Sequence, residues 1–430
     1  VAAYYPNWSK PILPPDKIQF ENITHIVHAF AWPTNDGNIE MYLGMPDADL
    51  INETHSAGKK ILIAFGGWGQ CAGFAPTTAD STKRTNFINN LVNLIAQSGI
   101  DGIDFDWEYP ANSTEGKNFT KLIKELRIRF NQINPTLLIT MAVSAGPYGA
   151  QFIEFEKIIT DIDYVFMMGY DFHGTWTSHS GHNAPLYPPS SGCNDGAVDG
   201  GINYLLNTRK IPSKKLAMGV PFYGREFTTS GLYQPQSGVK NHTYTTVEPL
   251  LNNSSWEYHW DNISKVSYLQ DIAHTKLITF DDTTTIRNKC EYALNKHLAG
   301  IMIWALGQDI VANSQPLLET VGKTLNIVTS IYSEKLLAEG YKLYDNYPNP
   351  FNPSTTIKFE IKESGFVNLS IYDVLGNKVK TLINEEKQSG IYEVVFLAKD
   401  ENDLPLSSGI YFYRIETEKF SAAKKLMLIK

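Results

Sequence analysis

The stretch that decides the reading is Asp101-Gly-Ile-Asp104-Phe-Asp106-Trp-Glu108-Tyr-Pro110. It follows an apolar-periodic helical pattern and reads as a strand. Side chains alternate along a strand, so Asp104, Asp106 and Glu108 share one face while Ile103, Phe105 and Trp107 share the other. Neighbouring carboxyl groups on such a face stand roughly 7 Å apart. Three carboxyls at that spacing cannot all ionise freely. At least one pKa should rise, and the row should titrate as a unit. A carboxylic acid kept protonated near neutral pH is what a general acid requires. A hydrated surface strand would not place Ile, Phe and Trp opposite its acids. A calcium loop needs glycine at its sixth position and polar residues between its ligands, where this run has Phe and Trp.

Outward from that strand, apolar runs and helical patterns alternate. The strand-like runs are Val1 to Tyr5, Ile23 to Phe30, Lys60 to Phe65, Leu138 to Ser144, Ile162 to Met168, Leu216 to Pro221 and Gly300 to Trp304. Helical periodicity covers Asn86 to Gln97 and Phe119 to Phe130. Near-continuous apolar strands between helices imply a parallel sheet covered on both faces. About eight such units over residues 1–326 match an α/β fold of the closed (β/α)8 TIM-barrel type, in which chemistry sits at the C-terminal ends of the strands. Glu108 lies at such an end. An open doubly wound sheet would want a Gly-x-Gly-x-x-Gly turn after its first strand, and there is none.

The rhythm breaks twice. From Tyr223 to Phe280 the chain is rich in Tyr, Thr, Ser and Asn, and residues 224–280 are expected to form an inserted α+β lobe walling one side of a cleft. Residues 327–342 read as a linker. Residues 343–430 carry short alternating runs (Thr356 to Ile361, Val367 to Tyr372, Tyr392 to Leu397, Ile410 to Ile415) between turn signals such as Gly376-Asn377 and Ser408-Gly409, which predicts a small all-β sandwich.

A net charge of -8 disfavours nucleic acid as a partner, and 43% hydrophobic with 19% charged residues predicts packed domains. No apolar run approaches the ~18 residues of a membrane span. Cys71, Cys193 and Cys290 allow at most one disulfide and show no metal-ligand spacing. His25, His28 and His173 lie on separate segments with no carboxylate–histidine spacing linking them and are read as structural, so no metal is expected there. The chain opens on a strand-like run without a signal-peptide pattern, which is read as a trimmed or mature start.

The acidic run resembles the Asp-x-x-Asp-x-Asp-x-Glu signature of family 18 glycoside hydrolases, the chitinase family. Further pieces in the same order are similar to that family. They are Thr24 to Phe30, Ala64-Phe-Gly-Gly67, Met168-Gly-Tyr170-Asp171 through Trp176, Val220-Pro-Phe-Tyr223-Gly-Arg225 and Ile303-Trp304. Ala64 stands where the family usually has a serine whose hydroxyl supports the acidic strand, which leaves the pKa of Asp104 open. The resemblance implies a monomeric, cofactor-free chitinase that acts on chitin or chitooligosaccharides through the substrate's own acetamido group. In it Glu108 would be the acid and then the base. Asp106 would hold the acetamido nitrogen, Asp104 would share a proton with Asp106, and Tyr170 would hold the acetamido oxygen. Trp304 would floor the cleavage subsite and Trp68 a neighbouring one. Tyr4, Phe30, Tyr109, Met168, Asp171, Tyr223 and Arg225 would line the groove. Trp107 is assigned to packing by its parity; Trp256 and Trp260 fit either distal sugars or the core of the inserted lobe.

Tyr347-Pro-Asn-Pro-Phe-Asn-Pro353, Val374-Leu-Gly376, Ser408-Gly-Ile-Tyr411 and Lys424 to Lys430 resemble the type IX secretion sorting domain of Bacteroidetes and their relatives. That implies recognition by the secretion machinery and export across a bacterial outer membrane, to the medium or the cell surface. A carbohydrate-binding module would show a planar row of aromatics, whereas Tyr411 and Tyr413 look like core or edge positions. Three other activities share parts of the pattern. An endo-β-N-acetylglucosaminidase acting on glycans shares the acidic motif, and peptidoglycan also carries N-acetyl groups. A non-catalytic chitin-binding lectin on the same fold would lack the terminal acid, here Glu108.

Overall fold

The computed structural model describes residues 1–189, 195–325, 342–373, 377–417 and 421–429. Cys193, the Val374-Leu-Gly376 turn and the expected linker apart from Lys342 lie outside them. The chain divides into two compact units, the first ending at Leu325.

In the first unit the strands run, in chain order, β1 (Ala2–Pro6), β2 (His25–Pro33), the short β3 (Ile39–Met41), β4 (Lys60–Gly66), β5 (Gly102–Asp106), β6 (Leu138–Ser144), β7 (Tyr164–Met168) and β8 (Leu216–Pro221). Next come β9 (Tyr223–Thr229), β10 (Gln236–Thr243), β11 (Trp256–Asp261), β12 (Val266–Asp271) and β13 (Lys276–Phe280), then β14 (Gly300–Trp304). Among the described residues eight of these pair in parallel in the order β1-β14-β8-β7-β6-β5-β4-β2, and β2 returns to β1, closing the barrel. The expected barrel is therefore the fold.

Strand parity sorts the core into two layers. Ile103 and Phe105 are fully buried against the helices, with Phe105 meeting Phe74 and Phe119 edge to face. Trp107 stacks on Phe74 at 5.1 Å and 15°, so it packs as its parity predicts. The inward face is filled by small residues, with Ala2, Ala29, Ala64 and Ala217 surrounding Tyr4, Phe166 and Met302. Those alanines leave room inside the barrel for the carboxyl groups.

The helices are longer than apolar periodicity alone predicts. Ser81–Ser98 starts at Asp80, whose side chain accepts from the backbone N–H groups of Thr82 and Lys83. Ser113–Ile133 starts at Asn112, which caps Thr114 and Glu115 in the same way. The polar first turns are held by these caps rather than by packing, which is why periodicity misses them.

Strands β9 to β13 form one antiparallel sheet in the order β10-β9-β13-β12-β11, with a short helix Tyr244–Val247, as expected of an α+β insertion. The second unit holds two antiparallel sheets, made of β15 (Lys342–Leu343), β16 (Ser354–Ile361), β17 (Gly365–Tyr372), β18 (Lys378–Lys387), β19 (Gly390–Leu397), β20 (Gly409–Glu416) and β21 (Ser421–Leu428). Their orders are β15-β16-β19 and β18-β17-β20-β21, around a core that includes Ile357, Phe359, Leu369, Phe396 and Ile415. The unexpected strands β15, β18 and β21 are all at sheet edges. Their lysines suit an edge and hide the apolar alternation. Tyr413 is wholly buried and donates its hydroxyl to the Tyr344 carbonyl at 2.7 Å, so it is a core residue.

Candidate active site

Strand β5 ends at Asp106, and Glu108 lies two residues beyond it. The ending is set by β4. Gly67 N–H donates to the Asp106 carbonyl at 2.8 Å, and at Gly66, where φ is +115°, a Cβ would stand 2.1 Å from that same oxygen. Only glycine permits the approach. Cys71 then fixes the next peptide. Its Sγ accepts from the Glu108 N–H at 3.1 Å and lies 3.4 Å from the carbonyls of Gly67 and Asp106. Downstream, the Ala111 N–H donates to the Glu115 carboxylate at 2.8 Å, so the segment carrying Glu108 is tied at both ends.

Asp104 is fully buried inside the barrel. Its two oxygens accept from Tyr4 Oη at 2.6 Å and Thr140 Oγ1 at 2.5 Å. In register, Ala64 flanks Asp104 on one side and Thr140 on the other. The hydroxyl missing at Ala64 is thus supplied from the opposite neighbour. Burial nevertheless dominates and pushes the Asp104 pKa up to about 6, with the two hydroxyls opposing it. Asp106 is 4% exposed, and its Oδ1 has no hydrogen-bond partner. Burial first, then Glu108 and Asp104, raise its pKa well above the carboxylate range. Burial also brings Glu108 to about 7, against a hydrogen bond from Tyr109 and with help from the Asp171 charge.

Tyr170 follows β7 and meets Tyr223 edge to face at 6.0 Å. Asp171 accepts from Tyr223 Oη and from Arg225 at 2.5 Å. Arg225 is itself 7% exposed; it donates to Asn183 and Asn241 and lies 4.9 Å over the Trp176 ring. Trp304 stacks on Phe30 at 5.7 Å and 25°. A cleft of ≈ 270 Å³ opens beside them, lined by Trp304, Gln308, Asp171, Tyr223, Arg225 and Asn241 among others. It lies between the barrel rim and β9 and β10 of the insertion. Trp68 is 81% exposed, free to meet a ligand. Met168 lies in the same inward-facing cluster as Trp304 and Tyr170.

Three residues have surroundings that the sequence did not show. Tyr4 is 1% exposed, with its hydroxyl on Asp104, so it supports the acid and does not line a groove. Phe30, also buried, stacks against Trp304. His173 does not stand alone; the fold brings it to His179 and Asp195. His28 lies elsewhere, with Nε2 3.3 Å from Asn7. Sequence reasoning missed Thr140, Cys71, Asn183, Asn241 and Gln308. Thr140 had a signal, being a polar residue at inward parity in the apolar strand β6.

Residues 1–309 match glycosyl hydrolases family 18. The chain belongs to that family. Residues 345–430 match the secretion system C-terminal sorting domain. A probable endochitinase of Caenorhabditis elegans is 31% identical over 326 residues, covering 66% of this chain and 51% of the relative, so the chain spans about half that protein's length. Chitinase 1 of Aphanocladium album is 26% identical over 70% of this chain and 80% of its own. The crystal structure of an Ostrinia furnacalis Group IV chitinase in complex with allosamidin superposes with a TM-score of 0.70 at 29% identity, over 77% of this chain and 98% of that one.

Proposed function

We propose that this protein is an exported chitinase. It hydrolyses β-1,4 linkages between N-acetylglucosamine units with retention of configuration. The observation that carries the reading is the pairing of two unlike carboxyl groups. Glu108, with a pKa near 7, is half protonated at neutral pH and reaches solvent. Asp106 beside it is buried, with one oxygen unpaired. A buried acceptor without a partner costs stability unless a ligand completes it, and the N–H of a substrate acetamido group is the donor of the right kind.

Each residue then has a task. Glu108 donates its proton to the glycosidic oxygen. The acetamido carbonyl oxygen attacks the anomeric carbon, the C–O bond to the leaving sugar breaks, and a cyclic oxazolinium ion forms. Asp106 accepts from the acetamido N–H and balances the positive charge on the ring. Asp104 shares a proton with Asp106, and Tyr170 donates to the acetamido oxygen. Glu108, now a carboxylate, takes a proton from water as that water attacks the anomeric carbon. Trp304 floors the reacting sugar and Trp68 an outer one. The second unit carries the export signal for a type IX system. An endo-β-N-acetylglucosaminidase is disfavoured by the insertion wall, which suits a linear polymer. A silent lectin is disfavoured because Glu108 is present and Asp104 keeps its two hydroxyl donors.

The test is product analysis on chitin oligosaccharides with Glu108→Gln alongside. β-Anomeric products that disappear in the variant support the proposal. Binding without release would move the reading to a lectin. Inertness toward chitin with cleavage of glycoprotein glycans would move it to the endoglycosidase.

A further inference from the structure

The cluster of His173, His179 and Asp195 lies on the segment that follows β7 and takes no part in the chemistry above. His173 is 1% exposed. Its Nδ1 is 2.9 Å from the carbonyl oxygen of His182. A carbonyl can only accept, so Nδ1 carries the hydrogen, and in the neutral ring Nε2 is left with a lone pair. That Nε2 makes no hydrogen bond, yet it faces Oδ2 of Asp195 at 3.1 Å. A lone pair opposite a carboxylate oxygen is repulsive unless a positive species stands between them. His179 Nε2 approaches the same oxygen at 2.9 Å. One ligand atom from each of the three residues falls within 4.8 Å of the others.

We propose that His173 Nε2, His179 Nε2 and an Asp195 carboxylate oxygen form a binding site for a divalent transition metal of the zinc class, with water completing the coordination. Two imidazoles and a carboxylate select zinc, cobalt or nickel over calcium and magnesium. Bonds of about 2.0–2.1 Å in a tetrahedron separate ligand atoms by about 3.3 Å, so the carboxylate withdraws by a few tenths of an ångström while the two ring nitrogens, within 4.8 Å of each other, settle to that spacing. The surroundings are fitted to the ring. The His182 carbonyl orients His173 in the way metal-bound histidines are usually held. A Cβ at Gly181 would stand 2.2 Å from His173 Nε2, so the glycine lets the chain pass beside it. His182 in turn contacts Asp261 of β11 at 3.0 Å through its own Nε2. A metal here would cross-link the segment behind Tyr170 and Asp171 to itself, while the His182–Asp261 contact joins it to the inserted sheet. Its role would be to hold that segment in place, with no part in bond cleavage.

The experiment uses the full chain, stripped with a chelator and titrated with Co²⁺. Uptake of one equivalent with a visible ligand-field band, displaced by Zn²⁺, is expected. Thermal unfolding in Zn²⁺ at a hundredfold excess over Kd should shift upward by about 4 °C. The band and the shift should both vanish in His179→Ala and in Asp195→Asn, whose circular dichroism should match the parent. The proposal is overturned if no stoichiometric band forms, or if both variants bind as the parent does. In the first case a proton, held between the histidines and Asp195, occupies the place assigned to the metal.

Discussion

Replacing Thr140 with valine removes one hydroxyl from Asp104 and little else. Thr140 is fully buried, and its Oγ1 lies 2.5 Å from Asp104 Oδ1. A buried hydrogen bond to a charged group contributes about 1.5–3 kcal/mol, and one between neutral groups about 0.5–1.5. The variant should therefore lose about 1 kcal/mol more where Asp104 is ionised than where it is protonated. That difference equals a rise of about 0.7 unit in the Asp104 pKa, at about 1.4 kcal/mol per unit. The sign follows from the folded value of about 6, above the ordinary 3.8. Burial of the acid favours its neutral form, so the contribution of Asp104 to stability is greatest below 3.8 and is lost as pH rises to about 6. In Thr140→Val the fall continues to nearly 7. Urea unfolding at pH 5 and pH 8.5, followed by tryptophan fluorescence, measures both losses. All eight tryptophans precede residue 305, so the signal reports the barrel unit alone. A loss that is the same at both pH values would refute the reasoning, as would a Thr140→Ser variant that behaves like valine.

Glu108→Gln should lower kcat by about 10²–10⁴-fold without lowering Tm, measured by reducing-end release and calorimetry, because it removes the acid but also a desolvated charge. In the parent, kcat/KM should fall tenfold per pH unit above about 7, since only protonated Glu108 is the acid and its pKa is about 7. Cys71→Ala leaves the Glu108 N–H without its sulfur acceptor. Stability should drop by about 1–3 kcal/mol and kcat should fall while KM holds, with Cys71→Ser restoring most of both. Arg225→Lys keeps the charge but loses the fork that joins Asp171, Asn183 and Asn241. KM for chitin tetramer should rise about tenfold in steady-state assays, with kcat less affected.

Much of this was legible because parity and periodicity survive folding. Asp104 and Asp106 face inward and Trp107 faces the helices, as alternation alone requires. The barrel strands were readable because most of them are apolar on both faces. What escaped depends on contacts between strands far apart in sequence. Thr140 serves Asp104 only because β6 happens to register against β5. Tyr4 looked like a groove aromatic, and only barrel closure buries it on Asp104. Cys71 offers its sulfur to Glu108 through a loop geometry that spacing does not encode. His179 and Asp195 meet His173 by the path of a long segment with no periodicity to read. The edge strands β18 and β21 escaped for the opposite reason, as the charges that protect an edge blur its pattern.

The hydroxyl that Tyr4 places on Asp104 has a temporal consequence. Tyr4 belongs to β1, which pairs along its whole length with β2 and closes the barrel by meeting β14, matching Ala2 to Met302 and Ala3 to Ile303. The innermost acid of the site is thus finished by a hydrogen bond across 100 residues, inside a ring whose closure spans some three hundred. Contacts of that sequence separation are slow to form. During refolding, secondary structure and even the acidic strand can be present while Asp104 still lacks a partner. Return of turnover therefore marks the ring's closure and should trail the recovery of helical signal, so the enzyme carries its own clock for the last step of assembly.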